Sequence, residues 1–472
     1  MPRLIPVRNP RTGEDDFSIE ATTGEEIAAL ATELRSEQAA WRNLDIGERI
    51  EVLQSFKDAL ERNRDTIVTA VSVDTGRHAI ASQELDGLMR SIDRWCQDAP
   101  ALVKQHERPS KALPHIAIQQ RHEPFELVGV ISPWNFPLLL SFIDATPALI
   151  AGCAVIIKPS EVTPRFAEPV RNAIAEVPAL HKVLRFIDGD GVTGSALIEH
   201  VDAVAFTGSV ATGKKVAAAA AEQFIPAFLE LGGKDPVVIL PGSELERAAT
   251  AILRASVAAT GQACQSLERI YVHESQHDEF VALLTEKAKA TPISYPDPRE
   301  GIVGPLIFAR QAEIIASHLE DAAAKGAKTH VGGTVEELSG GQWIAPTVLS
   351  NVTHDMRLMR EETFGPVMPV MSYISEDEAV SLANDSDYGL SAAVFGATED
   401  DALRVAEKIN AGGISVNDAG LTTMIFEEEK SAFRCSGMGP SRVGASGLTR
   451  FFRNKALFLN RGAVMPIDVM AE

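Results

Sequence analysis

Cys264 is the residue from which chemistry can first be read. It sits in Gly261-Gln262-Ala263-Cys264-Gln265-Ser266, after an alanine-rich, helix-like run at 245–260 and before a strand-like run at 269–273. A cysteine at such a junction meets free backbone N–H groups, which favour the thiolate, the nucleophilic form. The competing reading is a small buried apolar residue. A second candidate is Glu230, which ends an apolar strand in Glu230-Leu231-Gly232-Gly233-Lys234. Apolar surroundings raise the pKa of a carboxyl group and suit it to general-base work, although an ordinary strand-end carboxylate has the same sequence. The third is Asn135, held between the two prolines of Pro133-Trp134-Asn135-Phe136-Pro137. Its NH2 group is the kind of donor that holds an oxyanion, and the alternative is a simple turn residue.

Three further stretches could hold phosphates or a ribose. Gly189-Asp190-Gly191-Val192-Thr193-Gly194 matches a dinucleotide fingerprint, but that fingerprint wants an acid at the end of the next strand, and Phe206-Thr207-Gly208-Ser209 has none. Gly208-Ser209-Val210-Ala211-Thr212-Gly213-Lys214-Lys215 approaches a nucleotide-triphosphate loop. Lys215 stands where a hydroxyl would ligate magnesium, which leaves a helix N-terminus suited to a diphosphate without metal. Ile157-Lys158-Pro159-Ser160-Glu161 ends a strand with a cation and an acid. Such an acid can accept both ribose hydroxyls and repel a 2′-phosphate, or form a surface ion pair.

The elements that must position these groups follow from length and pattern. The chain has 472 residues, enough for two or three domains, and 45% are hydrophobic, enough for sizeable cores. The net charge of −21 argues against nucleic acid. Four scattered cysteines suggest a reducing, cytoplasmic setting and no metal site. Residues 1–10 lack the apolar core of a signal peptide. The apolar stretch 138–157 contains Asp144, Pro147 and Gly152, so it reads as a buried helix, a break and a buried strand rather than a membrane span. Helical patterns run to about residue 102. Strand patterns at 115–120 and 126–132 suggest a hairpin or an extending arm. From Cys153 short apolar strands alternate with helices: strands at 154–157, 183–187, 203–206 and 227–231, helices at 165–177, 194–200 and 213–223. This predicts a parallel, doubly wound sheet with ligands beyond the carboxyl ends of the strands. A second alternating block starts near Lys234, and a last strand at 455–459 could pair with the hairpin or with another subunit.

Taken together, the motifs resemble the NAD(P)-dependent aldehyde dehydrogenase superfamily. The resemblance runs from about Arg8 to Leu459. It rests on the Pro133–Pro137, Lys158–Glu161, Phe206–Ser209, Glu230–Lys234 and Gly261–Cys264 stretches, with Glu361-Glu362-Thr363-Phe364-Gly365-Pro366 and Asn384 followed by Tyr388-Gly389-Leu390. It implies an α/β fold of two doubly wound parallel-sheet domains plus a small β oligomerisation arm. The cofactor domain would comprise 1–112 and 126–232, the arm 113–125 and 452–472, and the catalytic domain 233–451. It implies oxidation of an aldehyde to the carboxylic acid by a homodimer or homotetramer, without nucleic acid, membrane or metal. Cys264 would be the nucleophile, Asn135 and the Cys264 N–H the oxyanion site, and Glu230 the base that activates water. Lys158 and Glu161 would hold the adenosine ribose, with Ser160 also in the cofactor site, Ser209 at the diphosphate, Glu362 at the nicotinamide ribose and Phe364 beside it. Ser132, Pro133, Trp134, Gly191, Phe206, Thr207, Gly208, Leu231 and Gly232 would complete the cofactor site, and Glu161 favours NAD over NADP.

The chain departs from the family around the substrate entry. The region matching the usual Pro-Phe-Gly-Gly is Glu429-Lys430-Ser431-Ala432-Phe433-Arg434-Cys435-Ser436-Gly437, and the altered Gly439-Pro440-Ser441-Arg442-Val443-Gly444 lacks the acid some members carry. Asp144 stands where many members have a lysine. Phe136, Leu139, Leu140, Ile143, Ala263, Gln265, Phe426 and Phe433 are candidates for the substrate tunnel. With no arginine beside Cys264 in sequence, they suggest an aromatic or medium-chain apolar aldehyde. Rival readings are a coenzyme A-acylating or semialdehyde dehydrogenase of the same fold, a nucleotide-triphosphate hydrolase using 208–215, and a non-catalytic scaffold.

Overall fold

The computed structural model describes residues 3–104 and 106–470; residues 1–2 and 105, expected in the cofactor domain, and 471–472, expected in the arm, lie outside the described residues. Among the described residues, two large sheets and a three-stranded one organise the chain, beside two two-stranded ribbons. The first large sheet runs, edge to edge, Gly437–Met438, Ala227–Glu230, Ala203–Thr207, Leu127–Ile131, Ala154–Lys158 and Leu184–Phe186. The last five are parallel. Three of these, Leu127–Ile131, Ala154–Lys158 and Ala203–Thr207, are buried at every position, as strands covered on both faces must be. The chain winds outward in both directions from Leu127–Ile131. Its boundary with Ala203–Thr207 is therefore a topological switch point, where a crevice opens at the strands' carboxyl ends. The 133–137 loop and the 206–209 turn both leave the sheet there.

Helices Gly24–Asn43, Ile46–Arg62, Arg64–Thr75 and His78–Leu102 share one apolar core with this sheet and with the helix Pro137–Ala151. The first two start at full capping boxes, Thr23 with Glu26 and Asp45 with Glu48. Stretch 138–157 folds as its pattern implies, a buried helix ended by Gly152 in a left-handed turn, then a buried strand. Among the described residues no helix is long and apolar enough to cross a membrane.

The second large sheet runs Lys328–Val331, Thr347–Ser350, Val367–Tyr373, Leu267–His273, Asp235–Ile239, Ser391–Phe395 and Gly413–Val416, parallel except for its first strand. The third sheet is a three-stranded antiparallel arm, Phe452–Asn460, Ile116–Pro124 and Glu107–Pro109.

Two placements differ from the pattern-based reading. The strands at 116–124 and 127–131 are not a hairpin. Leu127–Ile131 is apolar throughout and takes the centre of the first sheet, whereas Ile116–Pro124 carries Gln119, Gln120, Arg121 and His122 and joins the half-solvated arm. The C-terminal part of 233–451 also returns to the first sheet. Gly437 pairs with Glu230, and Leu448 and Phe451 enter the first core because their apolar surface finds its cover there.

Candidate active site

Three loops meet where the two large sheets adjoin. The turn that carries Cys264 follows the helix Leu245–Val257 through a tight stretch in which Ala259, Thr260 and Gly261 all have positive φ. A Cβ on Gly261 would lie 2.3 Å from the Gly365 carbonyl carbon, so only glycine lets this turn approach the 362–365 segment. Gln262 fixes the turn from below: Ile307 N–H donates to its Oε1 at 2.9 Å, and its Nε2 donates to Pro305 O at 3.1 Å. Cys264 is left half-buried.

Asn135 reaches the same turn. Its Nδ2 donates to Gln262 O at 2.9 Å, and the residue is buried. Arg77, buried in the helical flank, ties both loops together by donating to Asn135 O and, at 2.9 Å, to Ala259 O. Glu84 of the same flank accepts from Leu138 N–H and Leu139 N–H at 3.0 and 3.1 Å, capping the helix that follows Asn135. Among the described residues, no acceptor takes the Cys264 N–H. Glu230 ends its strand at the same place, and a Cβ on Gly233, three residues on, would lie 2.2 Å from Cys264 O.

The thiolate expected at Cys264 is not what this environment favours. Burial, then the carboxyl groups of Glu362, Asp235 and Glu230, push its thiol up to about 12, with Arg442 pulling the other way. Burial also raises Glu230, opposed by Arg442, Arg450 and Lys430 and reinforced by Asp144. These cations correct the reason given above for an apolar substrate. No arginine is near Cys264 in sequence, but Arg442 and Lys430 come to it from the C-terminal segment.

Glu362 is held at the site edge. It accepts from Gly233 N–H at 3.0 Å, and its other oxygen takes no hydrogen bond from the described residues. Burial and Glu268 push its carboxyl up to about 8. Glu268 accepts from Thr363 and Phe364 N–H at 2.7 and 2.8 Å and is paired with buried Lys234 at 2.5 Å, which fixes the whole 362–364 segment. The Phe364 and Trp134 rings meet edge to face at 5.3 Å.

The crevice above the first sheet gathers the other expected cofactor residues. Lys158 is buried, donates to Pro159 O and Gly189 O, and lies 3.6 Å from Glu161, which is partly exposed. Ser160 Oγ accepts from Val162 N–H at 3.2 Å. Ser132, at the end of the central strand, is buried with its Oγ 2.7 Å from Ser141 Oγ. Ser209 caps the helix Val210–Glu222, which starts at the carboxyl end of strand Ala203–Thr207, just past Phe206, Thr207 and Gly208. Leu231 packs under that helix at Gly213, and Gly232 lies against Glu362. The fingerprint at 189–194 is arranged differently: Asp190 caps the helix Gly191–Ile198 itself and is paired with Arg3.

Of the tunnel candidates, Phe136, Leu139, Leu140 and Ile143 lie on or beside one helix, the Phe136 ring 5.4 Å from the Arg77 guanidinium. Ala263 and Gln265 flank Cys264, and Gln265 Oε1 accepts from Thr422 Oγ1 at 2.6 Å. The Phe426 ring lies 5.6 Å from the Arg94 guanidinium. Phe433 stands apart, exposed, with its N–H on Gly389 O. Sequence reasoning missed Arg77, Glu84, Lys234, Glu268, Arg442 and Arg450. Asp144 alone carried a signal, because a charge inside an apolar helix requires partners.

A family model described as the aldehyde dehydrogenase family matches residues 2–457. A solved structure from Anabaena variabilis, provisionally named aldehyde dehydrogenase PutA, is 51% identical, superposes with a TM-score of 0.97, and covers 98% of this chain and 99% of its own. A Mycolicibacterium smegmatis protein, provisionally named for succinate semialdehyde and NADP(+), is 32% identical over 97% of this chain and 89% of its own length. A 4,4'-diapolycopene aldehyde oxidase from a Methylomonas species is 36% identical over 90% of this chain and 80% of its own length.

Proposed function

We propose a reaction on the premise that this chain belongs to the aldehyde dehydrogenase family and is an oxidoreductase acting on aldehydes. The proposed reaction is oxidation of an aldehyde to its carboxylic acid with NAD, carried out by Cys264, Asn135 and Glu230. The observation that carries it is the meeting of these three groups at one junction: Asn135 Nδ2 on Gln262 O, and Gly233 against Cys264 O.

The residues of the crevice fit a nicotinamide dinucleotide. Glu362 is a part-buried carboxyl group with one oxygen free for a ribose hydroxyl, Lys158 and Glu161 stand at the end of the second strand, and the helix at Ser209 offers first-turn N–H groups to a diphosphate. When bound, that group supplies the hydride acceptor. The chain's own residues do the rest. The Cys264 thiol gives up its proton to water and Sγ attacks the carbonyl carbon. The Cys264 N–H and Asn135 Nδ2 receive the developing oxyanion. Once the carbon is at the thioester level, Glu230 takes a proton from water, whose oxygen attacks it. The C–S bond then breaks, the acid leaves, and Cys264 is regenerated.

Glu161 supports NAD over NADP, because a carboxylate at the ribose repels a 2′-phosphate. Phe136, Leu139, Leu140 and Phe426 support an aromatic or medium-chain apolar aldehyde. A second reading, a carboxylate-bearing semialdehyde, is favoured by one observation: Lys430 and Arg442 both act on the Cys264 environment. The arm sheet supports a homodimer or homotetramer.

NADH formation with NAD, or NADPH formation with NADP, against aromatic, aliphatic and semialdehyde substrates tests these readings together. Benzaldehyde or octanal turned over with NAD well ahead of succinic semialdehyde is the expected outcome. The reverse order assigns the cations to substrate recognition. Cys264→Ala is expected to abolish turnover and keep cofactor binding, and turnover near that of the wild type would remove Cys264 as the nucleophile. Glu230→Gln is expected to slow the rate after the first turnover by about 10²–10⁴-fold. An unchanged rate would pass the base role to another group.

A further inference from the structure

Asp144, Arg442 and Arg450 form a buried charged cluster from two distant parts of the chain. Arg442 Nη2 lies 2.6 Å from Asp144 Oδ2, and Arg450 Nη2 is paired with Asp144 Oδ1. Two cations thus face one anion. Among the described residues both Nε atoms are buried without a partner, and two guanidinium groups on one carboxylate leave the cluster with a net positive charge.

The cluster lies on the face of the first sheet that bears Glu230. Arg442 Nη2 also donates to Thr207 Oγ1 at 2.6 Å, and Thr207 is the register partner of Glu230 on the adjacent parallel strand. Register partners on parallel strands present their side chains to the same face. Phe228, two residues before Glu230, shares that face by strand alternation, and the Arg450 guanidinium lies 5.0 Å from its ring. On the other side Glu230 pairs with Gly437, which has no side chain to screen it. Among the described residues nothing donates a hydrogen bond to the Glu230 carboxylate, so charge rather than hydrogen bonding governs its state.

We propose that Asp144, Arg442 and Arg450 are positioning residues whose net positive charge sets the pH range over which Glu230 acts as a base. This rests on the reading of Glu230 as the water-activating group. A carboxyl group buried at a strand end would otherwise hold its proton and could not accept one from water. Arg442 and Arg450 oppose that tendency, Lys430 adds to them from the C-terminal segment, and Asp144 and a Cys264 thiolate work against them. Asp144 also prevents over-correction, because two unpaired guanidinium groups would leave too weak a base.

The signs give a test that simple damage to the fold does not mimic. The readout is the steady NADH rate after the first turnover, from pH 5 to 10, with saturating NAD and the best aldehyde. Arg442→Met removes a cation and is expected to move the acid limb up by about one pH unit, a roughly ten-fold loss below the limb that is recovered at high pH. Asp144→Asn removes the anion and is expected to move the limb down. Arg442→Lys keeps the charge and is expected to keep the limb near its original place even if the maximal rate falls. Rates that drop in Arg442→Met and Asp144→Asn with the limb unmoved, or limbs that move the same way, would overturn the proposal. If Arg442→Met does not fold, as judged by NAD binding and thermal melting, the downward shift in Asp144→Asn and the retained limb in Arg442→Lys decide. Glu230→Gln separates the two levels. An acid limb that survives it removes Glu230 as the base and the proposal with it. A limb that vanishes in Glu230→Gln but ignores Asp144→Asn and Arg442→Met removes the proposal alone.

Discussion

At the scale of single residues, Cys264 shows how far a sequence can be read and where that reading stops. The glycine-containing junction marks the residue, and the fold brings it to Asn135 and Glu230. Its protonation state was not legible, because Glu362, Asp235 and Glu230 come from other segments and act with burial to push the thiol up to about 12. The cofactor-free protein therefore holds a thiol rather than a thiolate near neutrality. Alkylation by iodoacetamide, followed by mass spectrometry of the Cys264 peptide, is expected to accelerate about ten-fold per pH unit from 7 to 10 without a plateau. A plateau by pH 8 would mean a thiolate stabilised in the resting protein. Arg442 and Arg450 escaped the sequence for the same reason: their partner Asp144 lies about three hundred residues away, and nothing local reports the pairing.

At the scale of elements, the strand–helix alternation was readable because strands buried on both faces are continuous apolar runs. The element that sets the geometry of the active site was not. The helical flank up to residue 102 looks like an ordinary charged, amphipathic surface, yet its Arg77 reaches under both catalytic loops. A guanidinium that joins Asn135 O to Ala259 O fixes the distance between Asn135 and the turn that carries Cys264. Arg77→Met leaves Asn135 O without a donor among the described residues, leaves Ala259 O only its local donors from Gln262, and leaves Glu84 without its nearby cation. Loss of this alignment is expected to reduce kcat by about 10²-fold, the usual effect of a misplacement of about 1 Å, with cofactor affinity little changed. Steady-state kinetics and NAD titration of the purified variant measure both. A variant with wild-type kcat would show that Gln262 and the prolines around Asn135 suffice to hold the loops.

For the whole molecule, the arm is the part that leaves an apolar sheet edge uncovered in the single chain. Its strand Phe452–Asn460 is paired on one side only and forms the sheet edge, with Leu457 and Phe458 exposed, and Val464, Ile467 and Met470 follow exposed in the tail. An exposed apolar edge of this kind invites another strand or chain. The net charge of −21 works against association of two copies, so an interface that forms here must overcome repulsion that salt screens. Sedimentation equilibrium at low and high salt is therefore expected to show a multiple of 50.7 kDa, tighter at high salt. Phe458→Asp, which adds charge where apolar surface is needed, is expected to shift the protein toward a single 50.7 kDa species while leaving its thermal melting nearly unchanged, since Phe458 is 71% exposed in the single chain. An unshifted assembly would place the contact elsewhere. A collapsed melting temperature would show that the arm strand holds the chain's own fold together before it holds two chains to each other.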